Sequence, residues 1–518
     1  MITDTLWERW LAPTYRRVVF ALHSGRRESG PAVTAGAVLA AGGAAVAPAA
    51  AIDLVMGGGH PIALGLASLV MVVIGTPLCL YFRLPRRFST EELYGSLVVG
   101  AAAMLAAGAG VHLATGAVDG WFDALLESTA GVSTTAASVI DDPSELSRGE
   151  HLFRAMLQWG SGAVGLVAVV RVFPRLGIGG LDPGGGVATR AASRLSPTTG
   201  GNLRRLFFLY ALFTAFIAIG YLGAGMPIFE AANHGLTVAS TGGWSTRAGS
   251  IGAFDSAAIE WVSIVAMATA GVSLPFVFRL LRTGEVAILW RAIEFRTYVA
   301  VVLGAWTVLF VAAEEWSLEG VRAAGFAATS AASTTGLLAD APSAFGGTGM
   351  ALLVTVAAIG GMAASLTGGV RLARVLVVVN VMRRELRRQL HQNSVLQVWV
   401  GRSTVGDEVV ARILGEMVLN IIVAAAGYLA LATFGDDVFE AIGATLSLLA
   451  TAGPAYGSTD PFSTLTALDR AGQVAAMVLM LLGRVSVLPV LAAMAVVSKP
   501  VRVRVRIVFS AVFGRRPA

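Results

Sequence analysis

Ser133-Thr134-Thr135-Ala136 recurs along the chain as Ala239-Ser240-Thr241-Gly242, Ser333-Thr334-Thr335-Gly336 and Ala450-Thr451-Ala452-Gly453. With Ala136, Gly242, Gly336 and Gly453 taken as corresponding positions, the intervals are 106, 94 and 117 residues. The tetrapeptides close the apolar or small-residue stretches 121–132, 227–239, 320–332 and 437–449. Stretches of that length are too short to cross a bilayer and read as re-entrant. Each lies between stretches long enough to cross. Non-helical backbone at membrane depth is tolerated only where protein buries it or water lines it. A fourfold recurrence of long helix, short helix, small polar loop and long helix therefore predicts a ring of carbonyls around one axis, which is an ion pore.

The rest of the chain supports a membrane class. Its 518 residues are 55% hydrophobic and 14% charged, with a mean hydropathy of +0.72, whereas a soluble protein of this size carries more surface charge. Ten stretches are long and apolar enough to span: 32–56, 61–82, 94–118, 151–173, 203–224, 257–281, 297–313, 349–380, 410–434 and 471–497. Residues 1–30 hold five arginines and no central apolar run, so they read as a cytoplasmic basic segment rather than a cleaved signal. Cys79 is the sole cysteine, which excludes an internal disulfide.

Arginines cluster in alternate loops, around 83–87, 171–205, 279–296 and 371–388, and again in the tail at 499–516. The intervening loops are acidic, with Asp119, Asp123 and Glu127, then Glu314, Glu315 and Glu319, then Asp436, Asp437 and Glu440. The positive-inside rule places both termini in the cytoplasm and the four short segments on the outer side. The net charge of +6 thus reflects topology, and no nucleic-acid partner is expected. Acid at the outer face follows from the same rule, and it would also concentrate cations at a pore mouth.

No tetrapeptide carries a charged side chain. Selectivity would rest on carbonyl and hydroxyl oxygens, which suits an alkali cation. The negative C-terminal end of each short helix favours positive charge nearby, and Gly permits backbone conformations closed to other residues. Ser/Thr/Gly clusters in membrane proteins also serve close helix packing. Four in register argue against that use alone.

At these residues the chain resembles the Trk/Ktr/HKT superfamily of potassium transport proteins, specifically its bacterial TrkH- and KtrB-type pore subunits. Ala239-Ser-Thr-Gly-Gly-Trp-Ser-Thr-Arg247 looks like the family's second filter, and His151-Leu-Phe-Arg-Ala-Met-Leu-Gln-Trp-Gly-Ser-Gly162 like the helix after the first. Gly360-Gly-Met-Ala-Ala-Ser-Leu-Thr-Gly-Gly-Val-Arg371 resembles the break after the third filter, and Met480-Leu-Leu-Gly-Arg484 the Gly-Arg of the last helix. The similarity runs from about Glu91 to Val497.

The resemblance implies an all-α polytopic membrane protein: an N-terminal helix hairpin, then fourfold pseudo-symmetric helix–pore helix–filter–helix repeats around one ion pore. The expected divisions are a basic segment 1–30, a hairpin 31–90, and repeats at 91–180, 181–285, 286–400 and 401–518, the last with the basic tail. The filter would comprise Thr134, Thr135, Ala136, Ser240, Thr241, Gly242, Thr334, Thr335, Gly336, Thr451, Ala452 and Gly453. Further implications are potassium uptake across a bacterial inner membrane, a homodimer, and a cytoplasmic nucleotide-binding regulatory subunit of the TrkA or KtrA kind. No nucleotide motif or cofactor site is visible in this chain, and the Arg-rich inner loops suit a protein partner or anionic lipid.

Family members place Gly where this chain has Ala136, and some plant members with Ser there prefer sodium. A sodium-permeable or weakly selective monovalent cation pathway is therefore the alternative. Gly360, Gly361, Ser365, Gly368 and Gly369 interrupt a long apolar stretch, and the resemblance makes them an unwound gating segment. Arg484 is an isolated charge inside an apolar span, expected to meet carbonyls near the filter or that segment. Arg148 and Arg154 read as interfacial anchors. A carrier would need inverted repeats with two broken halves, and an intramembrane enzyme would need Ser/His or paired carboxylates within spans. The same-sense fourfold repeat disfavours the first, and the lack of such groups disfavours the second.

Overall fold

A computed structural model of the chain describes residues 27–85, 89–167, 199–313, 315–391, 396–401, 403–434, 438–453 and 465–485, with 487, 490 and 491. Most of the expected basic N-terminal segment, most of the arginine-bearing inner loop around 171–205 and the basic tail lie outside these residues.

Two helices, α1 (Gly30–Met56) and α2 (Pro61–Tyr81), form a hairpin. Ser29 caps α1 by accepting from the Ala32 N–H, and left-handed Gly57 ends it. Lipid offers no hydrophobic drive between helices, so close approach of small residues holds the pair. A Cβ on Gly75 would overlap the Ala40 backbone, one on Gly36 would lie 2.8 Å from the Gly75 carbonyl, and Ser68 Oγ donates to Gly43 O at 2.7 Å. The short strands Arg27–Glu28 and Phe82–Arg83 pair in parallel at the hairpin's open end.

One pattern then recurs four times. It begins with α3 (Thr90–Thr115), α4 (Trp121–Ser133) and α5 (Arg148–Val167). It continues with α6 (Thr199–Gly223), α7 (Ile228–Ala239) and α8 (Ala257–Ala270), the last bent by 96° into α9 (Leu274–Thr283). After the short α10 (Ala287–Arg291) come α11 (Ile293–Ala312), α12 (Leu318–Ser333), α13 (Gly346–Ile359) and α14 (Leu372–Leu390). The fourth set is α15 (Asp407–Phe434), α16 (Val438–Leu449) and α17 (Arg470–Val485). A β-hairpin, Val398–Val400 with Ser403–Val405, joins the last two sets, and Val398 and Val405 pack with Val377 and Val381 of α14.

The short helices lie inside and the long ones outside. Every residue from Leu126 to Ser133 and from Ala328 to Ser333 is buried. Phe216, Ile421 and Leu429, on long helices, are each about two-thirds exposed, an inverted arrangement that suits lipid contact.

The expected ten spans become fewer. Among the described residues seven helices are long and apolar enough, or eight with the bent α8–α9 pair as one. The stretch 151–173 is described to Val167 as part of α5, which carries buried Glu150, His151, Arg154 and Gln158. The stretch 349–380 is broken at 360–371, and 471–497 is a described helix only to Val485.

Asp53, in the last turn of α1 and 2% exposed, ties the hairpin to the first repeat. Its carboxylate accepts from the Gly149 N–H at 2.6 Å, the Ser147 hydroxyl at 2.8 Å and the His60 N–H at 3.2 Å. The free N–H groups and positive dipole end of α5 account for this choice of residue.

Candidate functional site: four left-handed threonines

Each short buried helix ends in the same way. Thr134, Thr241, Thr334 and Thr451 are left-handed, with φ of 54°, 57°, 52° and 54°. The N–H of each bonds back three residues, to Gly131, Val238, Ala331 and Leu448. The next residue's N–H bonds back five, to Ala130, Thr237, Ser330 and Ser447, at 2.8–3.1 Å. This is the Schellman ending, normally built on glycine. A β-branched residue there costs about 1–3 kcal/mol and persists only where the surroundings impose it. All four threonines are at most 1% exposed.

The conformations correct one register. Gly243, Gly336 and Gly453 follow their threonines by two residues and are left-handed, at 73°, 76° and 103°. The counterpart of Ala136 is therefore Gly243, not Gly242, and Gly242 corresponds to Thr135, Thr335 and Ala452. Ala136 is absent from the positive-φ set, so its methyl is tolerated and the first loop departs from the other three at that dihedral.

The loops converge. A Cβ on Gly243 would overlap the Thr335 carbonyl and lie 2.9 Å from the Ala136 methyl, and one on Gly453 would lie 2.6 Å from that methyl. Gln158 of α5 donates to Gly242 O at 2.9 Å and Thr135 O at 3.4 Å, joining corresponding positions of the first two loops. A cavity of about 310 Å³ is lined by Ala136, Gly243 and residues following the loops, among them Ser138, Asp141 and Trp244. Ser240 lies one residue before its threonine, with its hydroxyl turned back to Leu236 and Thr237 carbonyls at 3.0 Å.

Buried polar groups brace the limbs that follow. Glu127 accepts from Arg154, from Ser138 Oγ at 3.0 Å and from the Val139 N–H at 2.9 Å. Trp244 Nε1 donates to Ala137 O at 2.9 Å beneath the Arg154 guanidinium. His234 occupies the place of Glu127 in the second repeat, each seven residues before its threonine. It pairs with Ser245 at 3.0 Å as Glu127 pairs with Ser138. Arg154 is thus an interior partner, not the interfacial anchor expected.

Residues 360–371 run non-helically between α13 and α14, with left-handed Gly360, Ala364, Gly369 and Arg371. The segment folds back on α13 through Val370 N–H to Ala358 O at 2.9 Å and Arg371 N–H to Ile359 O at 2.8 Å. Gly361 is held at its N–H by Thr367 Oγ1 at 3.2 Å, and Ser365 bonds the same hydroxyl at 2.7 Å. Its tip meets the threonines. Thr241 Oγ1 donates to Leu366 O at 3.1 Å, and the Gly368 N–H donates to Thr334 Oγ1 at 2.9 Å. A Cβ on Gly368 would overlap Ala450 O and Thr451 Oγ1. Arg484 Nη1 donates to Leu366 O at 2.8 Å, so it reaches a carbonyl of this segment.

Sequence reasoning missed Gln158 and Glu294. Glu294, in the first turn of α11, accepts from the Ala363 N–H at 2.5 Å. A carboxylate at the edge of an apolar stretch was the only signal available. Among the described residues no cluster of His, Cys, Asp and Glu could hold a metal.

Residues 96–501 match the family model described as TrkH, cation transport protein. The Trk system potassium uptake protein TrkH of Halomonas elongata is 30% identical over 382 residues, covering 71% of this chain and 77% of that one. Its namesake from Salmonella typhimurium is 29% identical over 346 residues, covering 65% and 71%. The crystal structure of the potassium transporter TrkH from Vibrio parahaemolyticus superposes with a TM-score of 0.80 at 25% identity, over 89% of this chain and 97% of that one. With the model match spanning most of its length and its short buried helices ending alike, the chain belongs to the TrkH family of cation transport proteins.

Proposed function

We propose that the four threonine loops form one selectivity filter for potassium, with Thr134–Ala136, Ser240–Gly243, Thr334–Gly336 and Thr451–Gly453 as its lining. The observation that carries this reading is the same strained Schellman ending at four converging points. Uncharged oxygens suit an alkali cation, and the C-terminal ends of four short helices add negative potential at the same place. The relatives named potassium uptake proteins support K⁺ as the cargo. The repeats would surround one pore, with the α1–α2 hairpin outside them and the cavity beside Ala136 and Gly243 as its outer mouth.

Residues 360–371 serve as the gate in this reading, with Gly360, Gly361, Ser365, Gly368 and Gly369 shaping the segment and Arg484 holding it. The left-handed Ala364 and Arg371 store strain that a second conformation releases. The assembly would be a homodimer in a bacterial inner membrane with both termini cytoplasmic, opened by a nucleotide-binding regulatory subunit. Sodium permeation is the second reading, favoured by the odd dihedral at Ala136.

Two measurements test this: growth rescue, on low potassium, of a bacterium lacking its K⁺ uptake systems, and ⁸⁶Rb⁺ flux into proteoliposomes. Rescue with Rb⁺ uptake blocked by K⁺ but not Na⁺ is expected. Equal block by Na⁺ would favour the second reading, and absence of cation flux in the presence of any regulatory subunit would sink both.

A further inference from the structure

The tip of residues 360–371 binds the same oxygens that a cation would need. Of the four left-handed threonines, Thr334 gives a lone pair to the Gly368 N–H, and the Thr241 hydroxyl proton is shared between Ser240 O at 2.7 Å and Leu366 O at 3.1 Å. Gly368 packs so closely on Ala450 O and Thr451 Oγ1 that only glycine fits. Thr134 Oγ1, in contrast, is buried without a hydrogen-bond partner among the described residues. A tripeptide spans at most about 10 Å, so hydroxyls from three repeats face one small central space. A hydroxyl oxygen has one proton and two lone pairs, and an alkali cation there would take a lone pair from each. The Gly368 N–H points its positive end at that position, and the Arg484 guanidinium bound to Leu366 O adds a full charge close by.

We infer that residues 366–368 and a permeating cation compete for the Thr334 and Thr451 hydroxyl oxygens and for the space beside Thr241, so that the ion itself displaces the segment and opens its own path. The inference rests on the filter reading above. Because coupling is reciprocal, whatever factor the docked tip takes from cation affinity, the cation takes from tip docking. The first repeat stands apart: its Thr134 hydroxyl, without a hydrogen-bond partner among the described residues, stays open to an arriving ion while the tip is docked.

The test is hydrogen exchange of peptides covering 360–371 in the full chain, reconstituted in proteoliposomes, in KCl against N-methyl-D-glucamine chloride of equal ionic strength. Exchange is expected to be at least about threefold faster in K⁺, the shift a modest preference for the undocked state produces. Thr334→Val, which keeps shape and removes the acceptor, should raise exchange roughly fivefold without K⁺ and reduce the response to K⁺. Thr334→Ser, which restores the hydroxyl, should return both toward the parent. ⁸⁶Rb⁺ flux is measured on the same vesicles. Flux with exchange that ignores K⁺ overturns the competition alone, as does a Thr334→Val variant that exchanges like the parent. No flux in any variant, measured with the regulatory subunit added, overturns the filter reading and this inference with it. The K⁺ comparison uses the unaltered chain, so a variant that fails to fold leaves the test standing.

Discussion

The Glu127 carboxylate lies 2.6 Å from the Arg154 guanidinium with both side chains shut away from solvent, and that guanidinium rests 4.3 Å from the centre of the Trp244 ring. One charge pair thus links a short helix, the limb after the first loop and the limb after the second. Removing one member of such a pair leaves an uncompensated buried charge. Arg154→Met should cost about 3–5 kcal/mol. The double variant Glu127→Gln, Arg154→Met should recover much of that loss, because neither charge then remains. Thermal unfolding of the two variants in detergent checks the ordering; equal loss in both would mean that the pair only fills space.

Gln158 gives a cleaner probe of filter shape. Its amide nitrogen reaches the carbonyls of Thr135 and Gly242 from α5, and a Cβ at Gly242 would overlap the Gln158 side chain. Gln158→Leu keeps the volume and removes the donor. Each lost hydrogen bond is worth about 1 kcal/mol, so the K⁺ over Na⁺ permeability ratio should fall by roughly fivefold while total flux persists. A reversal-potential measurement under bi-ionic conditions reads it.

Ala136→Gly tests the dihedral that separates the first loop from the other three. Its counterparts adopt φ of 73–103°, open to glycine and costly to alanine. The methyl lies where Gly243 and Gly453 crowd in, so its removal also relieves the packing that fixes the odd conformation. The variant should raise K⁺ over Na⁺ permeability, read by the same reversal potential. An unchanged ratio would show that the first loop's dihedral does not govern selectivity.

These sites show what was legible beforehand. The spans and four short segments could be read from the lengths of apolar runs, because bilayer thickness fixes those lengths. The register in the second repeat could not. Gly242 and Gly243 are adjacent, and the residue that turns left-handed is Thr241, a type that resists that conformation, so the glycine pattern misled by one position. Arg154 looked interfacial because its partner Glu127 is distant in sequence and on another helix. Arg484 was legible for the opposite reason: an isolated charge in an apolar run must find carbonyls, and it does. Among the described residues α5 is not counted as a span because it carries Glu150, Arg154 and Gln158, buried groups that an apolar-run reading of the sequence passes over.

Gly368→Ala separates steric fit from charge. The added methyl would overlap Ala450 O and Thr451 Oγ1, so the tip cannot seat, whereas the fold elsewhere is untouched. Basal ⁸⁶Rb⁺ flux without a regulatory subunit should rise about tenfold or more, because a clash of this kind costs at least 1–3 kcal/mol in the docked state. The unfolding temperature should hardly move. Reduced flux would mean that the segment supports conduction rather than obstructing it.

Glu294 holds the other end of the same segment. Its carboxylate accepts from the Ala363 N–H at 2.5 Å, beside left-handed Ala364, and α11 fixes it there from the first helical turn. A buried hydrogen bond to a carboxyl group is worth about 1–3 kcal/mol when its partner would otherwise be left unsatisfied. Glu294→Ala should therefore release the segment and raise basal Rb⁺ flux by roughly tenfold, whereas Glu294→Gln, which keeps an acceptor without the charge, should fall between the variant and the parent. The graded order distinguishes an anchor from a packing residue, for which Ala would lower stability and Gln would change nothing. Combining Glu294→Ala with Gly368→Ala should add little flux, since each alone already undocks the tip; full additivity would place the two residues in separate gates.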